Sequence, residues 1–290
     1  MDAKITDRVH TELILKYQSV YKVGGGFSLP IPAGVFLNGI DAFLLIFIRM
    51  TGLFVVAPIF GRRNIPAYLK IGFSFFSALI LINTIILPPP DYYGGILNFA
   101  SLAIKEFMVG ITIGFVAYLA FTAIYIAGEI IDMQIGFGIV NVIDPVSNIQ
   151  VPITSNLYFI ISMIVFLAVN GHHVLIKALF DSYTTIPLGG AVFDARIADG
   201  LIKAFGSIFF IGFKIAAPII AAILITDVTL GTVSKMVPQL NVFVIGMPLK
   251  IFIGIVIVML TIPMFILILE SIFKVMDNSM LNFIKDIKPK

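Results

Sequence analysis

The chain contains no cysteine and no tryptophan. The lack of thiols excludes disulfides, thiolate metal sites and cysteine nucleophiles, and a thiol-free chain tolerates any redox compartment. Three histidines are too few for a dedicated metal cage, so no metal and no cofactor is expected. Charge is scarce as well: 12% of the residues are Asp, Glu, Lys or Arg, about half the share of an ordinary soluble domain. The 19 basic and 16 acidic residues are scattered, with no block dense enough to track a phosphate backbone, which argues against nucleic acid as a partner. Catalytic patterns are missing too. There is no His-Glu-x-x-His, no Gly-x-Ser-x-Gly elbow, no phosphate-cradling loop and no dinucleotide glycine fingerprint. His172 and His173 are adjacent in sequence and so point about 100° apart on a helix, which is poor geometry for one metal. A structural helix-end role is the expectation for them.

What is present is apolar length. Hydrophobic residues make up 59% of the 290 and the mean hydropathy is +1.08, which leaves too little polar surface to cover a water-facing globule. Apolar segments run over about 35–60, 66–87, 96–131, 153–180, 197–231 and 242–276. Each exceeds the roughly 20 residues that cross a bilayer core as a helix. The pattern predicts an all-α, membrane-associated chain of long helices and helical hairpins. Several segments overshoot and carry charges inside: Lys105, Glu106, Glu129 and Asp132 in the third, Lys214 and Asp227 in the fifth, Lys250 and Glu270 in the sixth. Residues 1–34 differ, mixing Lys4, Asp7, Arg8, Glu12 and Lys16 with apolar positions before the breakers Gly24, Gly25, Gly26, Pro30 and Pro32. They read as a short amphipathic helix and a joint.

Loop charge gives two conflicting orientations. Arg62, Arg63 and Lys70 in one turn vote with Lys235 and Lys250 for the same side, whereas the basic termini vote for the other. A protein held by protein neighbours as well as by lipid would blur the signal in this way.

Four features carry the functional expectation. The spacing of three puts Glu129 and Asp132 on one helical face, where like charges repel and burial requires a cation, water or partner donor. A pore-facing or partner-facing role and an ion site in a secondary transporter are both open for them, beside a solvated helix end. Gly110-x-x-x-Gly114 marks a small-residue face where backbones approach. Pro218 and Pro263 lie at similar distances from the turn around Gln239, so their kinks would fall at similar depth in an antiparallel hairpin. The segment from Gly136 to Pro152 is apolar yet broken by Gly136, Gly138 and Asp144-Pro145. Irregular backbone at membrane depth is tolerated only inside protein or along a cavity, which suggests a constriction or plug.

These residues also carry a resemblance. Arg49-Met-Thr-Gly-Leu-Phe54, Ala57-Pro-Ile-Phe-Gly-Arg-Arg-Asn-Ile-Pro66, Ala127-Gly-Glu-Ile-Ile-Asp-Met-Gln-Ile-Gly136, Asp144-Pro145, Asn170-Gly-His172 and Pro238-Gln-Leu-Asn-Val-Phe-Val-Ile-Gly-Met-Pro-Leu-Lys250 resemble, in order, the FliR family of flagellar export proteins. Injectisome relatives of the SctT type share the plan. The resemblance covers about residues 36–275 and leaves residues 1–30 outside.

It implies a non-enzymatic subunit of the type III export gate in the bacterial inner membrane and flagellar basal body. FliP-like and FliQ-like subunits would be its partners, FlhB and FlhA its contacts, and unfolded flagellar proteins its cargo. Residues 35–196 would form a FliP-like part and 197–290 a FliQ-like hairpin with a basic tail. The family's plug loop falls on Gly136, Phe137, Gly138, Ile139, Val140, Asn141, Val142, Ile143, Asp144 and Pro145. The turn Pro238, Gln239, Leu240 and Asn241, with Lys235 and Lys250 beside it, would be the cytoplasmic hairpin end near FlhB.

Overall fold

A computed structural model describes residues 33–62, 64–85, 95–137, 152–237, 239 and 242–288. The expectations placed on residues 1–32, on Gly138 through Pro145, and on Pro238, Leu240 and Asn241 lie outside the described residues. The chain divides into residues 1–37 and 38–290. Of the first unit only residues 33–37 are described, as the opening turn of a helix. The second unit holds the hydrophobic core.

Among the described residues there are seven helices and no strand: α1 Ala33–Val56, α2 Ala67–Leu81, α3 Ile96–Ile135, α4 Ile153–Ala168, α5 Gly171–Thr185, α6 Ala195–Met236 and α7 Val242–Ile287. The all-α expectation holds. Local chemistry sets the ends. Extended residues Pro66, Gly95 and Pro152 precede α2, α3 and α4, and the Asp194 carboxylate accepts from the Arg196 backbone N–H at 3.0 Å to cap α6. Gly136 closes α3 with φ of 96°, a left-handed turn that a glycine adopts without steric cost.

Two expected segments are revised. The fourth, anticipated as one run over 153–180, is two helices bent by 66°. Asn170 adopts φ of 58° between them, a conformation that Asn tolerates better than most residues and that ends α4. The second, expected to exceed a bilayer crossing over 66–87, is helical only over the 15 residues of α2, about 22 Å. Among the described residues four helices are long and apolar enough to cross a membrane, or five if the bent α4–α5 pair is one span.

The third helix is the organising element and packs against α4, α5, α6 and α7. Its residues Ile113, Ala117, Ile124, Ala127 and Ile131 are fully buried, and 61% of its most apolar stretch is buried against 33% for α6 and 17% for α7. The last two therefore pair as a hairpin on the periphery and present most of their apolar surface outward. Phe121 of α3 packs against Phe159 and Phe166 of α4 and Phe273 of α7, with centroids 5.7, 5.3 and 5.7 Å away.

Glycines explain how α1 seats on α3. A Cβ on Gly110 would lie 2.0 Å from the Arg49 carbonyl oxygen, one on Gly52 2.6 Å from that of Phe107, and one on Gly114 3.0 Å from that of Leu53. The Gly110-x-x-x-Gly114 face thus receives the backbone of α1.

Candidate functional site

Arg49 sits inside apolar α1 with no solvent exposure. A guanidinium in that position is costly unless every donor is answered. Here Nε donates to Glu106 Oε2 at 2.5 Å and Nη2 to Oε1 at 3.0 Å, a fork-to-fork pair. Nη1 reaches Ser182 Oγ at 3.1 Å, and both terminal nitrogens donate to the Ile186 carbonyl at 3.3 and 3.2 Å. The guanidinium carbon lies 4.0 Å from the Tyr183 ring centroid.

Glu106, equally buried, also accepts from the Gly189 backbone N–H at 2.7 Å. This centre ties α1, α3, α5 and the 186–190 turn together. Sequence reasoning noted Glu106 as a charge within a span and Arg49 only within a motif, and missed their pairing. The available signal was that one Arg in an apolar helix demands a carboxylate from another.

The acidic pair near the end of α3 separates into two environments. Asp132 is buried, and its carboxylate accepts from the backbone N–H of Thr154 at 2.9 and 3.1 Å and of Ser155 at 3.4 Å. Those are orphan donors in the first turn of α4, and a carboxylate there also favours the helix dipole. The Asp132 carbonyl accepts from Gly136 and Phe137 at 3.1 Å each. One residue therefore holds the described ends of both flanks of segment 138–151. Ser155 Oγ adds a bond to the Tyr125 carbonyl at 3.0 Å, and Gly128 lets Ser155 approach so closely that a Cβ would come within 2.3 Å of its Cα. Glu129 is exposed. A spacing of three turns the two side chains about 60° apart, enough to straddle the edge of the buried face.

In the hairpin, Lys250 of α7 pairs with Asp227 of α6 at 2.8 Å. Lys235 is exposed in the last turn of α6, and Gln239 is exposed in the turn. Pro218 and Pro263 each lie inside an uninterrupted helix, and α7 holds a further proline, Pro248. A cleft of about 520 Å³ opens beside α3, lined by Ala57, Pro58, Arg62, Tyr118, Tyr125 and Phe159 among others. The Arg62 guanidinium caps it, 4.4 Å from the Phe159 ring centroid.

The arrangement is thus a set of clasped helices with no catalytic constellation among the described residues, and comparison with known proteins decides its kind. Residues 40–276 match the family model described as bacterial export proteins, family 1. The chain belongs to that family. Among its relatives are the flagellar biosynthetic protein FliR of Bacillus subtilis (strain 168), 37% identical over 84% of this chain and 94% of the relative, and that of Escherichia coli (strain K12), 30% identical over 89% and 98%. The FliR of Aquifex aeolicus (strain VF5) is 28% identical over 80% and 89%. The FliR resemblance of the sequence motifs is borne out. The Arg49–Glu106 centre and the Asp132 clasp lie where α1 and α4 meet the central helix.

Proposed function

We propose that this chain is a non-enzymatic structural and gating subunit of the flagellar type III export gate, lying in the bacterial inner membrane within the basal body. It contributes a FliP-like part over 35–196 and a FliQ-like hairpin over 197–290 to the pore wall. It assembles with FliP-like and FliQ-like subunits, meets FlhB and FlhA, and passes unfolded flagellar proteins. The near full-length similarity to proteins named FliR carries this reading. The geometry supports it at one place: a helix pair clasped by Asp132 gives segment 136–152 a fixed base, which a plug needs if it is to move while the wall stays put.

In this reading Gly136 through Pro145 form the plug, and Lys235, Gln239 and Lys250 flank the cytoplasmic end of the hairpin. Pro218 and Pro263, which remove a hydrogen bond within each helix, would let the hairpin bend along a curved wall. A secondary transporter with an ion site shared by Glu129 and Asp132 finds no support, because one carboxylate is occupied by backbone donors and the other is exposed.

The test is deletion of residues 138–143 in the native system. An assembled complex that leaks small solutes and ions is the expected outcome; an assembled complex as tight as the wild type would sink the plug assignment.

A further inference from the structure

The cleft of about 520 Å³ beside α3 has a single charged residue on its described wall, Arg62. The guanidinium is exposed and rests on the Phe159 ring, and among the described residues it has neither a hydrogen bond nor a carboxylate partner. Val55, Val56, Pro58, Phe115 and Phe121 make most of the remaining wall apolar. The α3 and α4 walls are helix interior, whose backbone groups are already paired, and the Thr122 hydroxyl donates to the Tyr118 carbonyl at 3.0 Å. Only the Arg62 fork and the phenol hydroxyls of Tyr118 and Tyr125 are left to meet polar ligand atoms. The ligand that fits is therefore apolar over most of its length and negative at one end.

The depth of the cleft is that of a lipid. Residues 107–128 of α3 contain no Asp, Glu, Lys or Arg and measure about 33 Å, close to one hydrocarbon core. The cleft follows this stretch for about 15 Å, from Phe115 to Tyr125, and Val55 and Tyr118 beside it are exposed at 46% and 48%. Glu129, exposed one turn beyond Tyr125 on the same helix face, marks the polar end. Arg62 belongs to that end. It follows the apolar span Gly39–Val56 by six residues, and its ring partner Phe159 packs on Phe121, which stands about 12 Å along the axis from Glu129. A guanidinium at that depth reaches the level of lipid phosphates along its own stem.

Shape disfavours other occupants. One turn of a helix about 10–12 Å across takes roughly 400–600 Å³, so a neighbouring helix could insert no more than about a turn. An extended peptide would bring an N–H and a C=O per residue to walls that leave them unpaired. An acyl chain brings neither. We infer that the cleft takes one acyl chain of a phosphatidylethanolamine, with the lipid phosphate on Arg62 and the ammonium toward Glu129. The carboxylate selects that head: a glycerol head offers it no cation, and a second phosphate would meet like charge. The inference requires a membrane around the chain and does not rest on the export-gate reading.

The experiment uses the full chain with whatever subunits accompany it, purified in mild detergent and returned to vesicles of equal parts phosphatidylethanolamine and phosphatidylglycerol. Each preparation carries a trace of one of the two lipids with a diazirine in an acyl chain, and labelling of α7 in the same sample is the reference. Irradiation with the ethanolamine probe should place adducts on the peptides that carry Val55, Phe115 and Tyr118. The glycerol probe should label them about two- to fivefold less, the measure of one exposed ion pair. Arg62→Gln should lower labelling by the ethanolamine probe about tenfold, whereas Arg62→Lys should keep most of it. Glu129→Gln should remove the difference between the probes. Both side chains are exposed, so neither change touches the packing.

In native membranes, a benzophenone amino acid at Tyr118 should give adducts with lipid. Cleft labelling undiminished in Arg62→Gln, a glycerol probe as strong as the ethanolamine probe on the wild-type chain, or a cross-link from Tyr118 to another protein chain or to residues 138–151 of this one in place of lipid would each overturn the inference.

Discussion

At the scale of single residues, the arginine and glutamate that join α1 to α3 illustrate why a buried ion pair is asymmetric under mutation. Each charge is wholly removed from solvent, so deleting one strands the other, at a cost of about 3–5 kcal/mol, whereas removing both leaves no naked charge. Glu106→Ala should therefore lower the thermal unfolding midpoint of the purified protein sharply, and Arg49→Met combined with Glu106→Met should recover much of that loss. A double variant worse than the sum of the singles would show that the pair is not the unit of stability. The same logic explains the distinct fates of Glu129 and Asp132. The spacing made them neighbours on a helix, but only the packing of α4 decided which one met the Thr154 and Ser155 amides.

At the scale of elements, close approach of helices dictates where side chains are forbidden. Gly110→Ala places a methyl 2.0 Å from the Arg49 carbonyl oxygen, backbone that cannot rotate aside, so α1 must lift off α3 and the guanidinium with it. Gly72→Ala meets nothing within 4 Å and removes a helical glycine, worth about 1 kcal/mol in its favour. Immunoblots of membranes should show Gly110→Ala strongly depleted and Gly72→Ala at wild-type amount.

Much of this level was legible in the sequence. Long apolar runs, the glycine face and the hairpin were readable because hydropathy and small-residue spacing are local signals. The break at Asn170 was legible in part: Asn170-Gly171 is a turn signal, and His172 and His173 were expected at a helix end, where they stand in the first turn of α5. The apolar residues on both sides nevertheless make the segment read as one run. The short reach of α2 was missed because the apolar run reads through the polar pair Asn83-Thr84 to the isoleucines beyond it, although the helix ends at Leu81. The Arg49–Glu106 centre stayed hidden because its members are 57 residues apart and only the α1–α3 crossing brings them together.

At the scale of the whole molecule, the uneven burial of the spans governs behaviour. The outward faces of α2, α6 and α7 expose Phe76, Ile80, Phe210, Leu260 and Leu267 at 65–74%, more apolar surface than a self-sufficient soluble protein leaves open. Mild-detergent purification of the tagged chain from native membranes should accordingly bring other export components with it in one large species. A monodisperse single chain, under conditions that keep other membrane complexes intact, would count against the assembly.

The span of the arginine centre along the chain has a temporal side as well. Arg49 is synthesised 57 residues ahead of Glu106 and 137 ahead of the Ile186 carbonyl. At about 5–20 residues per second, that leaves the guanidinium without its carboxylate for about 3–11 s and without its last acceptor for about 7–27 s. During this interval α1 alone is a poor guest for lipid, and it becomes a good one only once α3 has emerged beside it. The order in which the ribosome delivers the two helices is thus part of what makes the finished pair possible.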